Sequence, residues 1–365
     1  MAITRIGNPA IANIREPNFR NIIINGDMSL AQRSTSVSGI TGQSYNTVDR
    51  YATFLTTLGT WTQSQSTDVP TGQGFATSLK MDCTTADASP AAGDRLLIQQ
   101  KIEGQNLQYI KKGTSDAESL TVSFWVKSNK TGTYIAELFD NDNTRQISKS
   151  YTISSASTWE KKTITYDGDT TGTLGNDNGD SLILQLWLGT GTTYSSGTLS
   201  TTWTSNTNAN RAVGQVNLAD STSNEWYVTG VQLETGSVAS DFEFLPVDVN
   251  LARCQRYFWS PTTGTSGNGS VGVGGFFNTT QGDFLVSFPT AMRGTYSLGY
   301  SALSDIRVTS HTAAYDASAI ALNASVALTS SVVRITSGST LATAGNYGYF
   351  FLKNTSARLK FDAEL

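Results

Sequence analysis

Apolar and polar positions alternate with a period of two over most of the chain. In SLTVSFWVKSN, Leu120, Val122, Phe124 and Val126 fall on one side and Trp125 on the other, the signature of a half-buried strand. GFATSLKMDC from Phe75 to Cys83 repeats the pattern, as do DRYATFL, DRLLIQQKI, GTYIAELFDNDN, KSYTIS, WEKKTITYDGD and EWYVTGVQLE. The series opens on the apolar run Ile22–Ile24, closed by a turn at Asn25-Gly26-Asp27. DSLILQLWLGTG is apolar at nearly every position, as in a strand covered on both faces. Roughly ten short strands with turn residues every 8–12 positions mark a sandwich or barrel, not alternating strands and helices. No amphipathic helix of ordinary length interrupts them between Ile22 and Phe244. The pattern predicts an all-β chain with a jelly-roll β-sandwich over residues 21–246.

Past Pro246 the period changes. In VDVNLARCQRYF, Asp248 or Asn250 is placed to cap a helix, and Leu251, Cys254 and Phe258 recur at helical spacing on one face. A helix this short does not persist alone in water. It is expected to be a linker over residues 247–260 that also serves as a seam between copies, with Leu251, Cys254 and Phe258 at the contact. From Gly264 the alternation resumes, with a hairpin whose arms end and begin at Phe277 and Asp283. TAAYDASAIALNASVALTSS reads as loops with short strands, and residues 261–365 as a smaller C-terminal β-sandwich tip domain. Residues 1–20, with Pro9, Pro17 and spaced isoleucines, read as an arm that docks on a partner or a neighbouring subunit.

Composition narrows the function. Charged residues make up 15% of the chain and the net charge is -4, so a nucleic-acid role driven by phosphate contacts has no basic stripe to rest on. No apolar run reaches the ~20 residues of a membrane helix, and no signal peptide opens the sequence, which points to a soluble product made in a cytoplasm. Cys83 and Cys254, far apart in sequence, read as two buried free thiols, with a disulfide between them as the alternative. His311 stands alone without a nucleophile elbow, and one histidine with two distant cysteines has no zinc spacing. A glycosidase needs two carboxylates facing each other, and Glu137, Asp140, Asp142, Glu225 and Glu234 are the candidates. The turns DNDN and NDNGD lack the spacing of an EF-hand. No catalytic, metal or cofactor site is expected. Among seven tryptophans, Trp203 sits in a polar loop, placed to stack on a ligand or fold back on its own domain.

Several phrases, RNIIINGDMSLAQR, DRYATF, SFWVKSNKTGTYIAELFD, WEKKTITYDGDTTGT and above all EWYVTGVQLETGSVASDFEFLPVDVNLARCQRYF, resemble tail-fibre and appendage proteins of tailed bacteriophages. The sandwich also looks like a carbohydrate-binding module. In such modules an N-G-x-F-E start and a D-D-V end help hold a structural calcium, and here those acidic ligands are missing. The resemblance implies a non-enzymatic virion component, usually homotrimeric. Its N-terminal arm would meet other virion proteins, its tip would face a bacterial surface glycan, and it would insert in no membrane. Two alternatives stand beside it, a free-standing carbohydrate-binding or glycan-degrading protein and a purely structural capsid or collar fibre.

Overall fold

The computed structural model describes residues 19–261, 269–310, 313–340 and 343–365. Two antiparallel sheets form the larger unit. One has six strands in the spatial order Ser36–Ile40, Thr60–Ser66, Ser78–Thr85, Glu225–Thr235, Leu120–Ser128 and Glu160–Tyr166. The other has seven, in the order Thr204–Ser205, Arg145–Ile153, Gly132–Asp140, Asp180–Thr190, Arg95–Glu103, Ala52–Thr56 and Ser44–Tyr45. The chain switches sheets repeatedly, from Arg95–Glu103 to Leu120–Ser128, back to Gly132–Asp140, across to Glu160–Tyr166 and back to Asp180–Thr190. Crossings of this kind build a jelly-roll sandwich.

The alternation sets which face is buried. Leu120, Val122, Phe124 and Val126 enter the core from one sheet, Leu182, Leu184, Leu186 and Leu188 from the other, and Trp61 and Trp226 close it. Ile22–Ile24 is buried but is not a strand. Side chains replace the ladder there. Asn21 Oδ1 accepts from the N–H groups of Ile23 and Leu233, and the Gln100 amide pairs with both the N–H and the C=O of Ile24. Gly26 is required at the following turn, because a Cβ would lie 2.1 Å from the Val231 carbonyl oxygen.

The helix runs from Val247 to Gln255. Its Cys254 is buried against Ile24, Tyr257, Leu30 and Leu365. Phe258 is 1% exposed, under the Arg33 guanidinium at 3.7 Å. Two of the three residues assigned to a seam between copies are therefore enclosed within one chain, while Leu251 stays half-buried. Helical spacing identifies an apolar face but not its partner, and here the sandwich itself takes that face.

The C-terminal part is also all β, but its main element is a closed six-stranded barrel rather than the open sandwich expected. The order is Gly269–Phe276, Gln281–Ser287, Ser330–Ser337, Ala314–Val326, Ile306–Ser310 and Tyr347–Leu352, with the last strand pairing back to the first. The small-residue stretch read as loops supplies the 13-residue strand Ala314–Val326. Pairing with strands on both sides holds it extended. A three-stranded sheet of Phe258–Trp259, Leu359–Asp362 and Ser297–Tyr300 joins barrel to sandwich. There Glu364 pairs with Arg50 and Arg33, and Arg293 Nη1 donates to the Asn178 carbonyl oxygen at 2.7 Å.

Candidate functional site

The outer face of the seven-stranded sheet carries a polar row set by strand register. Glu137 lies opposite Gln185, and Gln185 opposite Gln99, across three neighbouring strands. Polar groups this enclosed must be paired, and the row largely pairs itself. Arg211, from the loop that folds over one end of the face, donates from Nε to Glu137 Oε1 at 2.9 Å and from Nη2 to Gln185 Oε1 at 2.7 Å. Gln185 Nε2 then donates to Gln99 Oε1 at 3.0 Å, and Trp187 Nε1 to Glu137 Oε2 at 2.8 Å. Burial pushes the Glu137 carboxyl above its ordinary range, against the pull of Arg211.

The covering loop is held by Tyr194 and Ala212, which pack on Leu97, Ile135 and Trp187. Beside it the face stays open as a cleft of about 310 Å3. Gln99 and Gln185 form the floor, and the half-buried rings of Phe54 and Phe139 stand at the sides with Arg95, Lys101 and Arg211. Lys101 Nζ meets Asp180 Oδ2 at 2.8 Å. Planar amides and guanidinium groups hydrogen-bond hydroxyls, and aromatic rings take apolar ligand faces. This chemistry suits a sugar. A second hollow, about 340 Å3, lies between Tyr109, Tyr257 and Arg253, with Phe19 at its rim.

The other residues singled out from the sequence are dispersed. The Trp203 ring packs partly on the sandwich core, and its Nε1 donates to the Asp167 carbonyl oxygen at 2.8 Å. Asp140 faces Lys112, Asp142 accepts from the Gly175 N–H, Glu225 pairs with Lys80, and Glu234 accepts from Ser240. Glu225 and Glu234 belong to the six-stranded sheet and Glu137 to the seven-stranded one. Cys83 and Cys254 are buried free thiols. His311 and residues 1–18 of the N-terminal arm lie outside the described residues.

At the Asn25-Gly26-Asp27 corner the chain satisfies its own polar groups. The Thr229 hydroxyl sits 3.3 Å from the Asp27 and 2.8 Å from the Thr77 carbonyl oxygen, and Asn250 reaches Asp27 Oδ1. At DNDN, the Lys112 ammonium lies 2.5 Å from Asp140 Oδ2, 3.0 Å from Asp169 Oδ2 and 2.9 Å from the Thr171 and Gly172 carbonyl oxygens. Among the described residues no cluster of three or more His, Cys, Asp or Glu is arranged to hold a metal ion.

The cleft residues escaped sequence reading. The signal was present as glutamines inside apolar strands, Gln99 in RLLIQQKI and Gln185 in LILQLWL. Only the register brings them together.

No protein-family model and no curated protein matches the chain. Among solved structures it is similar to the tailspike protein 4 enzymatically active domain of bacteriophage CBA120, at 14% identity and a TM-score of 0.32. That match covers 60% of this chain and 22% of the tailspike chain. It is also similar to a putative sugar-binding protein from Bacteroides thetaiotaomicron, at 12% identity, TM-score 0.33, and coverage of 59% and 100%. A family 11 carbohydrate-binding module from Clostridium thermocellum, in complex with a mixed-linked tetrasaccharide, matches at 11% identity, TM-score 0.27, and coverage of 59% and 95%. At these scores no activity or ligand passes from those proteins to this chain, which by its own strands is an all-β sandwich with an appended barrel.

Proposed function

We propose that this chain is a non-enzymatic subunit of a bacteriophage fibre or other external appendage, present in several copies, that binds a bacterial surface glycan through the outer face of its seven-stranded sheet. The observation that carries the reading is the open cleft floored by Gln99 and Gln185 between the Phe54 and Phe139 rings. The phage assignment rests on the sequence resemblance, and placement on the virion follows from it. The non-enzymatic reading draws on Glu137, which is 0% exposed and held by Arg211 and Trp187. A carboxylate so enclosed cannot reach a glycosidic oxygen. Weak binding at one cleft would be strengthened by repetition along a fibre.

The test is a glycan array probed with the whole chain, followed by affinity electrophoresis on the glycans retained. Gln185→Ala and Phe139→Ala are each expected to weaken retention about tenfold or more, the scale of one lost polar or aromatic anchor. Absence of any retained glycan, or variants that bind like the wild type, would overturn the cleft assignment.

A further inference from the structure

We propose that the ligand of this cleft carries a carboxylate or a comparable anionic group, and that Arg95 is the residue that receives it. The inference rests on the glycan reading above and adds the class of glycan.

Arg95 is exceptional among the charges of the cleft. Lys101 is paired with Asp180 and Arg211 with Glu137. The Arg95 side chain has no ion pair and no hydrogen bond among the described residues, and its Nε is buried without a partner. The guanidinium carbon lies instead over two rings, 4.3 Å from the centre of Phe54 and 4.8 Å from that of Tyr194. These ring contacts hold the guanidinium in place without using its N–H groups, and Arg95 lines the cleft, which leaves its Nη groups for a ligand. The edge that bears them is the part of an arginine that accepts a carboxylate in a two-point bond.

A buried donor left without an acceptor costs about 1–3 kcal/mol, more when charged. Burial pulls the Arg95 guanidinium below its ordinary basicity, against the opposing pull of Tyr194 and Glu137 and with Arg211 adding repulsion.

The rest of the cleft points the same way. Three cations, Arg95, Lys101 and Arg211, stand around it against two carboxylates, Asp180 and the Glu137 beneath Arg211. This positive excess occurs in a chain whose net charge is -4. The Nε2 of Gln99, at the end of the donor row, also has no acceptor among the described residues, so the floor offers a donor. Arg95, Gln99 and Lys101 project from one face of one strand. At ~3.3 Å per residue, Arg95 and Lys101 stand roughly 20 Å apart along it. A trough of that length fits an oligosaccharide with its acidic residue at the Arg95 end.

The experiment is an array of matched neutral and acidic oligosaccharides, galactan against polygalacturonate and glucan against glucuronan, with bacterial surface polysaccharides of both kinds. It is probed with the whole chain, and each retained glycan is titrated by calorimetry at 50 and 300 mM salt. The expected result is retention of acidic members and affinity that falls with salt. Arg95→Gln should lower affinity at least about tenfold, and Arg95→Lys should fall between it and the wild type. Melting temperatures establish that the variants are folded, and the salt dependence of the wild type provides a readout that needs no variant. Retention of neutral glycans alone, insensitive to salt and to Arg95→Gln, would overturn the acidic class and leave the glycan reading standing. No retention of any glycan would overturn both.

Discussion

Lys112 shows how one side chain replaces a ligand. Its ammonium, 4% exposed, sits among two carboxylates and two backbone carbonyls. These are the oxygen donors a calcium ion takes, and the cation is supplied by the chain. Asp169 is held from the other side by Arg145 at 2.7 Å. Burial alone would raise the Asp169 carboxyl, but bonds from Arg145 and Lys112 outweigh it and hold the group below its ordinary range. Removing one partner of a buried pair leaves an uncompensated charge and costs about 3–5 kcal/mol. Lys112→Ala is therefore expected to lower the melting temperature sharply. Calcium should restore part of the loss in the variant and leave the wild type unchanged, since only the variant vacates the position. A calcium titration followed by calorimetric melting checks both, and an unmoved variant would mean that the oxygens relax apart when the ammonium is gone.

At the scale of elements, the helix Val247–Gln255 acts as a clasp because charged side chains just beyond its end reach into the sandwich. Arg256 makes two bonds to Glu103, from Nε at 2.8 Å and Nη2 at 2.7 Å. Burial pushes the Glu103 carboxyl up, but the hydrogen bonds from Arg256, Tyr257 and Gln105 outweigh it and hold the group below its ordinary 4.5. A carboxyl lowered on folding stabilises the native state above its unfolded value, and that contribution is lost as pH falls through the folded value. Glu103→Gln should thus cost about 2 kcal/mol at pH 7, and its difference from wild type should shrink below pH 4.5. Urea unfolding at pH 7 and pH 3.5 measures it, and a difference independent of pH would show that the clasp does not depend on the charge. The helix was legible from the positions of Leu251 and Cys254, although Phe258, read at the same spacing, lies beyond its end in a strand, and the sandwich strands were legible from their alternation, because local period reports burial directly. The barrel strand Ala314–Val326 was not, since Ala and Ser carry little apolar signal and pairing with neighbours decides their conformation. The cleft was illegible for a related reason. Gln99 and Gln185 lie 86 positions apart, and a cross-strand row exists only once register is set.

At the scale of the whole molecule, Cys254 and Phe258 are enclosed within the chain, and an exposed apolar surface that another copy could cover lies on the barrel. Leu285 pairs in register with Val273, and Val273 with Tyr349, so the three form a row across neighbouring strands on the outer wall. Val273 is 62%, Leu285 48% and Tyr349 47% exposed, with Tyr347 beside them at 73%. Large apolar side chains gathered in one patch usually mark a contact surface, and covering the part of each that is still exposed gains roughly 1–2 kcal/mol. A fibre subunit repeated around an axis would cover this row with another copy. Light scattering behind a sizing column is expected to give three times the 39.1 kDa of one chain. Val273→Asp combined with Leu285→Asp should return the single-chain mass with the sandwich fold intact, because both side chains already face solvent in the isolated chain. A double variant that stays trimeric would place the contact elsewhere. A wild type that runs as one chain even at high concentration would remove the repeated cleft from which multivalent attachment draws its strength.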